Sequence, residues 1–462
     1  MVCVQVNFSR RRNTDPTDST VQTGRSIISG WGRATKSASD CTNASTVREV
    51  QEIVTASTAR GVVARGFGRA YGDSAQNAGG IAVRLDGASK IGGITADGLI
   101  TVGAGVKLED LFVSSVPCGW APPVSPGTRQ VSIGGAIAAD VHGKDHHSRG
   151  SFANHVESLR LVDGTGATRE LDASKNPDEF WATCGGMGLT GVITDATIRL
   201  RSVEGPGIMA RDRRFDSLDD AMKAMCESDL RHRYSVAWVD TRKRGMSWRA
   251  IVSDGDDATG SSGELTAPQS QNVPAADLLP RVVSALTVDL FNRAWFNHAS
   301  SDSGWYEVDC FTYFHPLDRV ANWNRLFGPR GFLQYQFVVP DDQSAVIFQV
   351  LEMLDFLSSG ASMAVLKRFG EGNSGLLSFP RSGWTLAVDY PVGVRGLAQV
   401  LDMCDDLVHD AGGRLYLAKD SRAQPEAIAR GYPSLARWQQ IRQAMDPENR
   451  FVSDQARRLR LV

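Results

Sequence analysis

Ala64-Arg65-Gly66-Phe67-Gly68-Arg69-Ala70-Tyr71-Gly72-Asp73 follows directly on a short apolar run that predicts a strand. Closely spaced glycines permit positive φ angles and let backbone N–H groups converge on an anion, so the segment predicts a turn that binds a pyrophosphate. Its spacing differs from the dinucleotide fingerprint of a Rossmann fold, and no P-loop sequence is present. A tight turn alone would explain one or two of the glycines, but not the whole set with Arg65 and Arg69 beside it.

Two further segments of mostly small residues follow, over 126–144 and 185–193. In the first, Gly134 to Ala139 leave room for a flat group against the backbone, where plain core would carry bulky side chains. In the second, Gly185-Gly186-Met187-Gly188 predicts another tight turn beside a strand. Any one of these segments is weak evidence for a cofactor site, but the three in this order predict one.

Three histidines in the first of these segments suggest a metal site as an alternative. His142, His146 and His147 include an i, i+4 pair, which can share one helix face. Gly143 argues against a regular helix, and no acidic third ligand is placed nearby. We therefore favour a polar cofactor contact and predict no metal.

The composition is that of an ordinary globular chain: 462 residues, 42% apolar, with 50 basic and 52 acidic residues and a net charge of −2. A balanced, mixed charge gives no reason to expect a polyanionic partner, so we predict no nucleic-acid binding. The seven cysteines are odd in number and form no Cys-x-x-Cys, which argues against a disulfide framework or a zinc site.

The sequence also predicts no transmembrane segment. The first residues lack the apolar core of a secretory signal, so the cytoplasm is the expected location by default. The most apolar helix, Ser344 to Leu357, is short and contains Glu352 and Asp355.

Alternating and apolar runs predict an α+β fold of two domains. Asp163-Gly164-Thr165-Gly166 predicts a hairpin, and Tyr306 to Tyr313 predicts a strand. The predicted segments are a mobile tail over 1–23, a cofactor-binding domain over 24–205, an antiparallel-sheet substrate domain over 206–412 with a mobile loop over 253–280, and a C-terminal return to the first domain over 413–462.

The chain resembles the vanillyl-alcohol oxidase and para-cresol methylhydroxylase superfamily of FAD enzymes, and within it the actinobacterial branch that oxidises decaprenylphosphoryl-β-D-ribose. The likeness covers nearly the whole chain. Besides the three glycine segments, it rests on Gly30-Trp31-Gly32-Arg33, Gly331-Phe332-Leu333-Gln334-Tyr335-Gln336-Phe337, Gly413-Arg414-Leu415-Tyr416-Leu417-Ala418-Lys419-Asp420-Ser421-Arg422 and Ser453-Asp454-Gln455-Ala456-Arg457-Arg458. It implies a two-domain flavoprotein oxidase whose split FAD-binding domain holds FAD without a covalent bond.

The resemblance implies that FAD contacts the glycine segments and one residue of the C-terminal stretch. These positions agree with the pyrophosphate and the flat group expected from the glycine segments. The residues implied are Arg65, Gly66, Phe67, Gly68, Arg69, Ala70, Tyr71, Gly72, Asp73, Ser74, Gly127, Ser132, Ile133, Gly134, Gly135, Ala139, Asp140, Val141, His142, Ile193 and Tyr416.

The resemblance also assigns a pocket in front of the flavin. The residues it implies are Lys419, Gln336, Lys367 and Tyr71 as catalytic groups, and Gln334, Trp238, Phe314, Thr385 and Ala387 as substrate contacts. Lys419 sits at a plausible strand end between apolar and polar residues, unlike an ordinary surface lysine. Gln334 and Gln336 share one strand face, but their spacing leaves open whether that face meets solvent. Trp238 is as compatible with the core as with the pocket.

Three of these positions depart from the pattern of that branch. Ala387 replaces a common cysteine, Thr385 an asparagine and Phe314 a tyrosine. The missing thiol has no required chemical role, so we expect Ala387 to permit hydride transfer and to make the protein insensitive to thiol-trapping inhibitors. All three changes lie on the substrate side. They therefore do not affect the prediction that the chain binds FAD, but they leave the identity of the sugar open.

The implied activity is hydride transfer from the ribose 2′-hydroxyl of decaprenylphosphoryl-β-D-ribose to flavin N5, the first half of an epimerisation that makes the arabinose donor for cell-wall arabinan. The implied partners are an NAD(P)H-dependent short-chain reductase and quinone or oxygen as reoxidant. A peripheral place at the membrane, including its periplasmic face, would agree with that substrate. Two alternatives stay open: a related oxidase of a soluble sugar, aminosugar or nucleoside, and a non-catalytic binding protein of the same fold.

Overall fold

The computed structural model describes residues 23–85, 87–243, 245–260, 265–272, 283–357 and 360–462. Apart from Thr23, the predicted mobile tail over 1–23 lies outside these residues. Within them, no helix is both long enough and apolar enough to cross a bilayer.

Twenty strands are assigned in the described residues. They are β1 (Gly24–Ser29), β2 (Lys36–Asn43), β3 (Val62–Ala64), β4 (Ile81–Arg84), β5 (Leu99–Gly103), β6 (Trp120–Ala121), β7 (Val156–Val162), β8 (Thr168–Leu171), β9 (Val192–Arg199), β10 (Arg201–Ser202), β11 (Gly207–Phe215), β12 (Tyr234–Val239), β13 (Ala250–Asp257), β14 (Gln271–Asn272), β15 (Tyr306–Asp309), β16 (Val320–Ala321), β17 (Phe332–Val339), β18 (Met363–Phe369), β19 (Gly383–Pro391) and β20 (Arg414–Leu415).

The α-helices alternate with the strands throughout the described residues. They are α1 (Val47–Thr55), α2 (Leu108–Ser115), α3 (Ile133–Ala138), α4 (His146–Arg149), α5 (Pro177–Thr183), α6 (Leu218–Asp229), α7 (Ala285–His298), α8 (Cys310–Phe314), α9 (Ala345–Asp355), α10 (Leu397–Asp410), α11 (Pro425–Gly431), α12 (Leu435–Met445) and α13 (Asp454–Arg458). This mixture of helices with largely antiparallel sheets confirms the predicted α+β class.

The first sheet has the strand order β1-β2-β4-β3 and leads into the glycine turn that follows β3. β1 is antiparallel to β2, whereas β2, β4 and β3 run parallel. The C-terminal stretch lies along its edge: Val62 N donates to Arg450 O at 2.6 Å, and Val62 O accepts from Val452 N at 3.0 Å. Residues distant in sequence therefore hold the turn in place.

The second sheet is antiparallel, with the order β5-β9-β7-β8, and it contains the predicted hairpin. Asp163 Oδ1 accepts hydrogen bonds from Thr165 N at 2.9 Å and Ala167 N at 3.1 Å, which closes the turn between β7 and β8. This local pairing confirms the hairpin.

The third sheet has eight strands in the order β15-β11-β13-β12-β18-β19-β17-β20. One of its faces is apolar and packs against α6, α9 and α10, with Leu366, Leu386 and Phe337 fully buried there. Because strand side chains alternate between faces, the residues next to these in sequence point to the opposite face.

The predicted strand over Tyr306 to Tyr313 is wrong in its second half. The strand ends at Asp309, whose Oδ1 accepts from Thr312 N at 3.0 Å and so caps α8. A side-chain acceptor at this position satisfies a free amide of the first helical turn, which favours a helix over a continued strand.

The predicted loop over 253–280 is wrong at its start, because Ser253 to Asp257 belong to β13. Asp254 is buried there and accepts from Ser228 Oγ at 2.5 Å and Arg213 Nη2 at 2.6 Å. Gln271–Asn272 form β14, parallel to β16. The rest of the loop over 261–264 and 273–280 lies outside the described residues.

Candidate functional site

The face of the large sheet opposite α6, α9 and α10 carries most of the polar residues predicted for the pocket. The strand register sets Gln336 opposite Ala387, Gln334 opposite Asp389 and Lys367 opposite Thr385. Trp238 lies on the same face, opposite Val365 on the neighbouring strand. The structure thus resolves which way the glutamine pair points: away from the apolar core.

Gln336 connects this face to the small-residue segment that follows α3. Its Nε2 lies 3.1 Å from His142 Nε2 and donates to Thr385 Oγ1 at 3.2 Å. Burial, together with Lys367, His146 and Lys419 nearby, lowers the pKa of His142 well below its ordinary value. The neutral ring can accept the amide hydrogen bond.

Lys419 stands above the ring of Tyr71, with Nζ 3.7 Å from the ring centroid. The backbone holds this contact, because Tyr71 N donates to Ala418 O at 2.9 Å. Asp389 lies close enough to interact with Lys419, and its Oδ1 accepts from Gln334 Nε2 at 2.6 Å. Burial raises the pKa of Asp389 and lowers that of Lys419, which brings the two proton affinities toward each other.

A second pair of lysines, Lys367 and Lys144, occupies the same face. The segment that contains Lys144 packs over β18: the rings of His142 and His146 lie 4.6 Å and 4.4 Å from that of Phe369, two residues after Lys367. Lys144 Nζ donates to Tyr313 O at 2.6 Å. Burial lowers the pKa of Lys367 to about 8, and burial with Lys367 nearby lowers that of Lys144 to about 7.

Among the described residues, neither lysine of this second pair forms an ion pair with a carboxylate. In the described part of the chain no Asp or Glu oxygen lies within 4.0 Å of Lys144 Nζ or Lys367 Nζ. Because Asp145 attracts Lys367 and Asp212 attracts Lys144 only at longer range, the two half-buried lysines form a favourable place for an anion.

The backbone of the glycine turn after β3 is open to close contact with a bound group. The amides of Gly66, Phe67, Gly68 and Ala70 donate no hydrogen bond to any residue that the structure describes. Gly68 has a φ of 64°, and a Cβ on Gly66 would lie 2.3 Å from Ser132 Oγ. Free amides converging from a glycine turn fit a pyrophosphate, so this part of the chain fits FAD.

Aromatic and basic side chains line the same turn. Arg69 Cζ lies 4.2 Å from the ring centroid of Trp31, and Lys107 Nζ lies 4.8 Å from that of Phe67. No residue from Arg65 to Tyr71 is fully exposed. The turn is therefore half-buried along its whole length.

Several side chains predicted to bind the cofactor also have protein partners. Arg65 donates to Ser29 O and Ala75 O, Asp73 forms an ion pair with Arg458, and Tyr416 Oη donates to Ala139 O at 2.8 Å. Their backbones border the site, while these side chains hold the loops that shape it.

Asp140 is the clearest example of a side chain that holds together the loops around the site. It is fully buried with φ of 38° and accepts from Ser151 Oγ at 2.8 Å, Ala153 N at 2.9 Å and Asn373 Nδ2 at 2.8 Å, as well as from Ser378. Its carboxylate joins the segment after α3 to the loop that follows β18.

The remaining predicted cofactor residues surround α3 and β9. Ser132 Oγ accepts from Gly135 N at 3.2 Å and caps α3, which carries Ile133, Gly134 and Gly135. A Cβ built on Gly127 would meet no atom within 4 Å. Gly72 and Ser74 are buried after the turn, Val141 lies between Asp140 and His142, and Ile193 is buried in β9.

Phe314 lies next to Tyr313, whose carbonyl oxygen accepts from Lys144 Nζ at 2.6 Å. Phe314 is buried at the end of α8, where its ring centroid lies 5.0 Å from that of Tyr234 and 5.3 Å from that of Tyr313. Its predicted contact with substrate stays a prediction.

Sequence reasoning missed Asp389 and Lys144. Asp389 could have been found, because Thr385, Ala387 and Asp389 alternate on one strand and so share a face. Lys144 lies in an irregular stretch with no periodicity, and only the packing of that stretch on β18 brings it to Lys367.

Known proteins match this chain over most of its length. Residues 42–172 match an FAD binding domain, and residues 389–459 match D-arabinono-1,4-lactone oxidase. Decaprenylphosphoryl-β-D-ribose oxidase of Mycolicibacterium smegmatis is 39% identical over 457 residues, 94% of this chain and 97% of the relative. An uncharacterised protein of Streptomyces coelicolor is 34% identical over 77% of this chain and 100% of the relative. An uncharacterised oxidoreductase of Rhodococcoides fascians is 28% identical over 45% of this chain and 52% of the relative.

Proposed function

The chain belongs to the decaprenylphosphoryl-β-D-ribose oxidase family of FAD-dependent oxidoreductases, and from this premise we propose that it oxidises a polyprenyl-phosphoryl ribose. The reaction removes the hydrogen on C2′ of the ribose as a hydride and the hydrogen of the 2′-hydroxyl as a proton, and it yields the 2′-keto sugar. A second enzyme, an NAD(P)H-dependent short-chain reductase, then reduces the ketone to the arabinose epimer. Quinone or oxygen accepts the electrons afterwards.

The choice of substrate rests on Lys144 and Lys367, which have no carboxylate in direct contact in the described part of the chain. A phosphodiester is a fixed anion, and two lysine ammonium groups without a directly paired carboxylate supply its counter-charge. A neutral soluble sugar or nucleoside would leave both lysines with only the longer-range attraction of Asp145 and Asp212, and an aminosugar would add a further cation. The site therefore favours a phosphate-bearing alcohol over the soluble alternatives.

The residues that would hold FAD are the free amides of the glycine turn at 66–70 and the small-residue segment around α3. When bound, FAD supplies the acceptor for the hydride that leaves the carbinol carbon. The half-buried face of the large sheet then limits the access of water to the reacting sugar.

Lys419 accepts the hydroxyl proton, and Asp389 assists it. Because burial lowers the pKa of Lys419, a neutral amine is accessible near neutral pH, and Nζ accepts the proton from the 2′-hydroxyl. The carboxylate of Asp389 stabilises the resulting ammonium group. Gln336, fixed by His142 and Thr385, donates to the sugar and orients it.

Anaerobic mixing of the purified holoenzyme with farnesylphosphoryl-β-D-ribose, a short-chain form of the substrate, tests the function. We expect the visible band of the oxidised flavin to bleach within one turnover, and soluble ribose and nucleosides to leave it unchanged. A yellow protein that bleaches with a nucleoside or an unphosphorylated sugar would favour the soluble-substrate oxidase. A protein unable to take up FAD would favour the non-catalytic alternative.

Replacing Lys144 or Lys367 by glutamine is expected to weaken binding of the phosphate-bearing substrate. A hydrogen bond to a charged group contributes ~1.5–3 kcal/mol, so KM should rise about tenfold to a hundredfold while kcat changes little. Steady-state kinetics with farnesylphosphoryl ribose measure this, and farnesyl riboside, which lacks phosphate, should show no such change. Lys223→Gln, at an exposed lysine paired with Asp219, is the matched control.

The pH dependence of KM provides a further check on the lysine pair. Both lysines bind the anion as ammonium groups, so affinity should be highest below pH 7 and fall as pH rises through their lowered pKa values of about 7 and about 8. Ionisation of Asp145, whose pKa burial raises to about 6, acts in the same direction, whereas burial keeps His142 and His146 neutral over this range. The other charged groups facing the pair are Lys419 and Asp212. A pH-independent KM would contradict the assignment.

A further inference from the structure

Helix α7 has an outer face that is unusually apolar for an exposed surface. Leu286, Leu290, Phe291 and Trp295 are 78%, 66%, 55% and 50% exposed. Phe291 and Trp295 stack, with ring centroids 6.0 Å apart and an interplanar angle of 14°. A contiguous apolar stripe on a surface helix marks a contact with another apolar surface.

The inner face of α7 anchors the helix to the polar face of the large sheet. Phe296 is buried against Arg249 and Arg214, whose Cζ atoms lie 4.2 Å and 5.1 Å from its ring centroid. Asn292 Nδ2 donates to Asp240 Oδ1 at 3.4 Å, and Asp240 follows Trp238 by two residues, directly after the end of β12. The apolar stripe therefore lies at one end of the face that carries the substrate site.

We propose that the outer face of α7 docks on the surface of a lipid bilayer. This inference rests on the proposed function, since a polyprenyl-phosphoryl sugar is anchored in a membrane and only its head group can enter a protein pocket. A helix with exposed leucines and aromatic rings lies in the interface of a bilayer with its apolar face inward. At the end of the sheet face, α7 would hold the pocket near the head group while the isoprenoid chain stays in the lipid.

The charges on α7 favour lipid over a strongly charged protein partner. Arg293 is paired with Asp289 at 2.9 Å, which leaves His298 as the other titratable group of the helix. With little net charge, binding should depend on apolar burial and persist at high salt.

Flotation of the FAD-loaded protein with phosphatidylcholine–phosphatidylglycerol vesicles tests the proposal. We expect the wild-type protein to float with the vesicles at low and high salt, and the double variant Leu290→Gln/Trp295→Gln to lose most of this binding. Leu230→Gln/Met403→Gln, at two exposed apolar residues on α10 and at the end of α6, should bind like the wild type. Flavin content and melting temperature establish that each variant is folded.

Turnover separates this proposal from the proposed function. The α7 double variant and the control double variant should both oxidise micelle-free farnesylphosphoryl ribose at the wild-type rate. With vesicle-embedded substrate, the α7 double variant should show a KM at least tenfold higher than that of the wild type. A wild-type protein that does not float, or an α7 variant that floats equally, overturns the docking surface even if the soluble substrate is oxidised. A dimer that the α7 variant converts to monomer would assign the face to a second copy of the chain and also overturn it. Flotation without any bleaching by farnesylphosphoryl ribose would instead refute the proposed substrate.

Discussion

The variant Lys419→Ala should keep its flavin and lose nearly all turnover. Removing a group that accepts a proton in the transition state lowers kcat by about 10²–10⁴-fold. The flavin should stay bound, because the amides that would hold it belong to the glycine turn and not to Lys419. Stopped-flow measurement of flavin bleaching with farnesylphosphoryl ribose gives the rate of the chemical step.

Two comparisons make this result specific. In the wild type, kcat should rise with pH through the lowered pKa of Lys419, because the neutral amine is the active form; Lys419→Gln should remove this rise. Lys223→Ala, at an exposed lysine, should change neither rate nor pH profile. Near-normal turnover in Lys419→Ala would remove this residue from the mechanism.

Gly72→Ala should have the largest effect on the folded protein. A Cβ at this position would lie 1.9 Å from the Asp420 carbonyl oxygen and 3.1 Å from the Ser421 Cα, so backbone would have to move. Overpacking a well-filled site costs about 1–3 kcal/mol and sometimes more. Since the same contact joins the glycine turn to the stretch that carries Lys419, we expect lower flavin occupancy and a lower melting temperature.

The control for this variant is Gly93→Ala, where an added Cβ meets nothing within 4 Å. It should match the wild type in the ratio of flavin to protein absorbance and in thermal unfolding. If Gly72→Ala retained both properties as well, the close approach of the two segments would not matter for the cofactor site.

The sequence by itself determined the features that depend on neighbouring residues. The glycine turn after β3 could be predicted because glycine spacing directly permits its backbone, and the hairpin at 163–166 because its turn residues close it locally. The i, i+2 spacing of Gln334 and Gln336 established that they share a face. The strand predicted over Tyr306 to Tyr313 from alternating residues was wrong in its second half, because the side chain of Asp309 caps α8 there.

Only the tertiary structure decided which face of the large sheet is polar and what meets there. Lys419 is brought to Tyr71 and Asp389, and Lys144 to Lys367, from segments far apart in sequence, which no local periodicity encodes. Burial lowers the pKa values of these lysines, and the charge of Lys367 lowers those of Lys144 and Lys419 further. Such effects depend on distances through space, so they exist only once the sheet and the loops around it have packed together.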